Sequence, residues 1–167
     1  MFDFIKEKFS ELKDSQDTKH ITNLLKLLAP LTDTIPILLV VKGLSKNQKF
    51  LIRNSAFIWG YLNNLTKLNA KKLSISEANQ AVLLTASLEL YASMFLIDVE
   101  IAKKEYKKMH DTIKKNKSAK DLFANGAMGC AEDMKQISVD VPNRLHLLQN
   151  LHNFLTVKSV EVRKNEK

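Results

Sequence analysis

The chain has 167 residues, 45% of them apolar and 26% charged, and carries a formal net charge of +8. Those values fit one ordinary globular domain over residues 1–167 with a true hydrophobic core, and they exclude a disordered or collagen-like chain. Scarce Gly (4) and Pro (3), with apolar residues at helical rather than alternating spacing, predict an all-α fold, while the single cysteine, Cys130, excludes an internal disulfide framework and a thiolate zinc site.

The first predicted helix covers residues 2–13, with Phe2, Ile5, Phe9 and Leu12 on one face and mixed Lys and Glu around the rest. It reads either as a helix that closes the bundle or as one that lies on a membrane surface. Its charges interrupt the continuous apolar region that an export signal needs, so the expected location is cytoplasmic. Asp17 or Thr18 can cap a second helix that runs through Leu28 and stops at Pro30. Asp33 and Thr34 before Ile35 and Pro36 predict a short third helix ending at Gly43. Ser45 with Gln48 forms a capping box that launches a helix to about Leu68, and residues 69–75 then reverse the chain. Trp59 on this helix reads as a core or rim residue rather than a ligand platform.

Residues 76–117 form the stretch around which the bundle is organised. Ser74 with Glu77, three residues on, can form a capping box at its start, and residues 81–97 are almost wholly apolar, with Thr85, Glu89 and Ser93 as a narrow polar stripe. From Val99 the apolar positions thin to Val99, Ala102, Tyr106, Met109 and Ile113, three and four apart. No Gly or Pro intervenes, so one helix is the simplest reading. Such a helix meets a geometric conflict. From residue 77 to 113 it would measure about 55 Å, whereas a chain of this length forms a sphere roughly 40 Å across. Either it breaks or its lysine-rich end projects.

Ser118 and Asp121 can cap a further helix to about Gln136. Its centre, residues 124–131, is small-sided, which allows close approach of another helix but predicts a break near Asn125 and Gly126. Residues 137–141 look extended, and Pro142 precedes a last helix from Asn143 to about Val162. The expected architecture is a single compact all-α bundle of six to seven helices around the long apolar one.

Chemistry-bearing patterns are sparse. His146 and His152 lie six apart, about 240° round a helix, so one face cannot offer both to a metal. Di-iron and zinc-protease helix motifs, phosphate loops and nucleophile elbows are all missing, and no cofactor or enzymatic activity is expected. Cys130 reads as a packing residue, and Glu89 as an acid that must find a partner or reach water. Asp121 to Gly126 resembles the start of the first homology motif of Bcl-2-type regulators, but the tryptophan and glycine that follow there are missing. Asp98, Val99, Glu100 and Ile101 with Glu105 resemble the acidic motif of tellurite-resistance-type helical domains, but without the glycine after the Asp. Neither resemblance carries a function across.

Of the 26 basic residues only Arg53, Arg144 and Arg163 are Arg, leaving 23 Lys. Lysine supplies a diffuse positive field without the fork that reads base edges, which disfavours sequence-specific nucleic-acid recognition. Residues 103–120 hold Lys103, Lys104, Lys107, Lys108, Lys114, Lys115, Lys117 and Lys120 against Glu105 and Asp111. The function expected is therefore non-enzymatic binding of an acidic protein partner through these lysines. The alternatives are membrane association or insertion, for which residues 81–97 approach the needed length and hydrophobicity, and non-specific nucleic-acid binding. Leu83→Asp is expected to unfold the domain and Lys107→Glu to leave it folded.

Overall fold

The structure is a computed structural model that describes residues 15–33, 43–76, 79–139 and 148–164. The described residues form seven α-helices and no strand: α1 (Ser15–Asp33), α2 (Lys46–Arg53), α3 (Ala56–Lys72), α4 (Gln80–Phe95), α5 (Val99–Lys115), α6 (Lys117–Val139) and α7 (Gln149–Lys164). The all-α bundle expected from the sequence is the fold. The helices expected over residues 2–13 and after Asp33, the start of the last helix at Asn143, and Glu77 lie outside the described residues.

Several helix boundaries differ from the expected ones, each for a local reason. The Ser45 capping box is present: the Ser45 hydroxyl accepts from the Gln48 N–H at 3.2 Å, and the Gln48 side chain accepts from the Ser45 N–H at 2.9 Å. The helix it starts ends at Arg53 rather than Leu68, because Ser55 turns extended and accepts from the Phe57 N–H at 3.3 Å, capping α3. Asn79, rather than Ser74, caps α4. The single helix expected across residues 76–117 is cut in two: Leu96 adopts the left-handed conformation (φ 52, ψ 49), and Asp98 caps α5 by accepting from the Glu100 N–H at 2.7 Å. A left-handed L-residue costs about 1–2 kcal/mol. The cap, worth about 1 kcal/mol, and the burial of apolar faces on both helices offset it. The helices meet at 112°, so α5 folds back onto the bundle instead of projecting. At the other end of the chain, α1 continues past the expected stop at Pro30 to Asp33.

The centre of the bundle is shared by α3 and α4. On α4, Val82, Leu83, Ala86, Leu88, Leu90 and Tyr91 are buried, while Thr85 and Glu89 are half-buried and Ser93 is exposed, so the polar stripe leads to the surface. Helix α1 packs on α3 and α4, α2 packs on α7, and α6 lies along α3.

Contact between α3 and α6 depends on two glycines. A Cβ at Gly60 would lie 1.9 Å from the Phe123 carbonyl oxygen, and one at Gly126 would lie 2.1 Å from the Phe57 carbonyl oxygen. The small-sided segment thus brings two backbones together, and the helix break expected at residues 125–126 does not occur. Residues 137–139 are likewise helical rather than extended. Asn64 closes the contact by donating to the Ala127 carbonyl at 2.7 Å.

Candidate functional site

At 100° per residue, Lys103, Lys107 and Lys114 fall within about 40° of one another around α5, and Lys104, Lys108 and Lys115 form an adjoining strip of similar width. The core-facing side of the same helix carries Ala102, Glu105 and Met109, all buried. Lys104, Lys108, Lys114 and Lys115 are exposed, whereas Lys103 and Lys107 are half-buried, and Lys103 pairs with Glu100 on the same helix. Asn116 ends α5, and its side chain accepts from the Ala119 N–H at 3.1 Å to start α6. Exposed Lys117 and Lys120 therefore follow directly around that corner. The structure places all eight sequence-predicted lysines on α5 and the first turn of α6. Lys107 is less solvated than its spacing suggests.

One of the two acids that the sequence sets against these lysines is withdrawn from them. Glu105 is buried beneath the face and takes a forked hydrogen bond from Arg53, whose Nε lies 3.0 Å from Oε2 and whose second terminal nitrogen lies 2.7 Å from Oε1. Tyr91 donates to Glu105 Oε2 at 2.7 Å, the nearer of two acceptors beside the Arg53 carbonyl at 3.0 Å. The hydrogen bonds that Arg53 donates to Glu105 hold its guanidinium above the ordinary range, and burial together with Glu105 pushes the Tyr91 hydroxyl well up. The cation stays charged and the phenol stays a donor. Trp59 stacks on Tyr91 at 4.0 Å and meets Tyr106 edge-on at 5.4 Å, which fixes this ion pair against the aromatic core.

Removing one member of such a pair exposes the worth of the other. Glu105→Ala is expected to destabilise the fold by about 3 kcal/mol, since it strands a buried guanidinium. The double replacement Arg53→Leu with Glu105→Leu should recover most of that loss in urea denaturation. Equal losses for both variants would show that shape, rather than charge pairing, sets the cost.

A second buried acid, Asp133, is 1% exposed. It accepts from the Tyr61 hydroxyl at 2.7 Å, from the Asn150 side chain at 2.7 Å and from the Asn150 backbone N–H at 3.1 Å. The carboxylate therefore sits against the first turn of α7, where the helix field favours negative charge. Cys130, fully buried nearby, has its thiol pushed up to about 12 by burial and by Asp133, which leaves it a packing residue and no thiolate.

A cavity of about 300 Å³ opens between α3, α4, α5 and α6. Trp59, Leu83, Ser87 and Met109 are its buried lining, and Gln80 and Lys114 are its exposed lining. His110 also borders it, held below its usual value by burial and by neighbouring Lys114. Among the described residues no group of three His, Cys, Asp or Glu comes together to hold a metal ion. No single described helix is long and apolar enough to cross a membrane; α4 and α5 together have the length and composition but meet at their 112° bend.

Sequence reasoning missed Glu105, Asp133 and the Asp98 cap. The last had a signal, an Asp opening an amphipathic period with Glu100 two residues on. Glu105 and Asp133 had none, since their partners lie 52 and 72 residues away at Arg53 and Tyr61. Comparison with family models, curated proteins and solved structures gives no match to this chain.

Proposed function

We propose that the chain is a non-enzymatic binding or regulatory protein whose lysine face on α5 and the start of α6 engages an acidic protein partner. The observation that supports this reading most is the charge balance of that face. With Glu105 turned inward to Arg53, Asp111 and Glu100 are left among six lysines on α5. Lys114 and Lys115 have an ordinary structural reason, because cations suit a helix C-terminus. Lys117 and Lys120 have the opposite one: they stand in the first turn of α6, which contains no acid, where the helix field disfavours positive charge. Fold stability does not account for them, whereas attraction of an anionic surface does.

Reversal of Lys104, Lys108, Lys115 and Lys117 to Glu tests the reading, since all four are exposed and none supports the core. The variant should melt like the parent and lose binding to the recovered acidic partner, and the parent's affinity should fall with added salt. Unchanged affinity and salt dependence would remove this surface from consideration.

A second reading, association with an anionic membrane surface, draws on Leu96 at the α4–α5 corner and Ile101 in the first turn of α5, which are 74% and 43% exposed, with exposed Lys104 three residues on from Ile101. Flotation with anionic vesicles separates the two.

A further inference from the structure

The cavity between α3, α4, α5 and α6 is graded from apolar to polar. Its most buried lining is Trp59, Leu83 and Met109, with Ser87 already engaged in donating to Thr66 at 3.0 Å. Its exposed lining is Gln80 and Lys114. Lys114 is the one Lys or Arg in the lining, and no Asp or Glu belongs to it. An apolar floor beneath a few polar groups at the mouth is the ordinary make-up of a pocket for a small molecule. A space of about 300 Å³ holds roughly ten water-sized groups at about 30 Å³ each.

From these features we propose that the cavity is a binding site for a small amphipathic carboxylate of about ten non-hydrogen atoms, a medium-chain or compact aryl acid. Its apolar body lies against Trp59, Leu83 and Met109, and its carboxylate meets Lys114 at the mouth. Trp59, whose indole N–H is buried without an acceptor among the described residues, belongs to the same wall. Sulfur and aromatic faces there suit a flexible chain or a ring equally well. The site is distinct from the outer lysine strip of Lys104, Lys108 and Lys115 and shares only Lys114 with the wider basic face.

Trp59 is the only tryptophan in the chain, so its emission reports on the cavity alone. Octanoate, 1-octanol and octylamine are to be titrated into the full chain, with Trp59 fluorescence and the indole N–H resonance as readouts. Octanoate should perturb both saturably, and octylamine should bind more weakly than 1-octanol. Lys114→Glu should weaken octanoate by about fivefold or more while leaving 1-octanol unchanged. Leu84→Trp, which places bulk at a half-buried lining position, should abolish both if its melting temperature shows that it is folded; the indole N–H of Trp59 then serves as the readout. Equal binding of the three compounds, no saturable change at Trp59, or indifference of octanoate to Lys114→Glu would overturn the proposal.

Discussion

Leu88→Asp should leave the chain unfolded at room temperature. Leu88 is fully buried on α4, outside the cavity lining, so its replacement has no route to water. The substitution loses the burial of a leucine, about 1.5–3 kcal/mol, and adds an unpaired carboxylate in an apolar setting at several kcal/mol more. Together these approach the roughly 5–15 kcal/mol that holds a domain of this kind together. Leu83→Asp, which the sequence singles out for the same outcome, is expected to be milder. Leu83 is 2% exposed but borders the cavity, and its carboxylate could reach water there. Lys104→Glu, on the exposed strip, should melt within a few degrees of the parent. Circular dichroism of the three variants checks the ordering. A folded Leu88→Asp would mean that α4 is not the buried centre.

Gly60→Ala should be almost as damaging, although it adds a single methyl group and improves helix propensity. Taken alone, propensity would favour alanine by about 1 kcal/mol. The new Cβ would meet the Phe123 carbonyl oxygen at 1.9 Å, and backbone cannot rotate away as a side chain can. Helices α3 and α6 must then move apart, opening the Asn64 bond to the Ala127 carbonyl and the Tyr61 bond to Asp133. Overpacking of this kind costs about 3 kcal/mol or more when the obstacle is rigid. Gly126→Ala should behave alike, its Cβ falling 2.1 Å from the Phe57 carbonyl oxygen. A stability gain from either variant would show that the two helices do not touch through their backbones.

What the sequence made legible follows from how local each cause is. Apolar period and scarcity of Gly and Pro determine helix content, so the all-α bundle could be read directly. The Ser45 and Gln48 box is a contact three residues long and was equally readable. The bend at Leu96 was hidden because neither Leu96 nor Ile97 breaks a helix by itself; tertiary packing of α5 forces the turn, and Asp98 then makes it tolerable. Ser55 hid the α2–α3 break in the same way, inside a stretch whose apolar spacing continues across it. The glycines of residues 124–131 signal close approach of another helix, but the backbone that Gly126 meets, at Phe57 and Tyr61, lies 69 and 65 residues away and only the fold brings them together. For the candidate site, the lysines themselves are a composition signal. The inward turn of Glu105, which sharpens their charge, depends on Arg53 and Tyr91 and is a property of the packed structure.

Binding of an acidic partner to the α5–α6 lysine face is to be measured by titrating a glutamate-rich helical peptide into isotopically labelled protein and following backbone amide resonances. The largest shifts should fall on residues 103–120, diminish as salt is raised, and vanish in the variant with Lys104, Lys108, Lys115 and Lys117 reversed to Glu while its spectrum stays that of a folded protein. Shifts centred elsewhere, or shifts on this face that survive both salt and charge reversal, would contradict that binding.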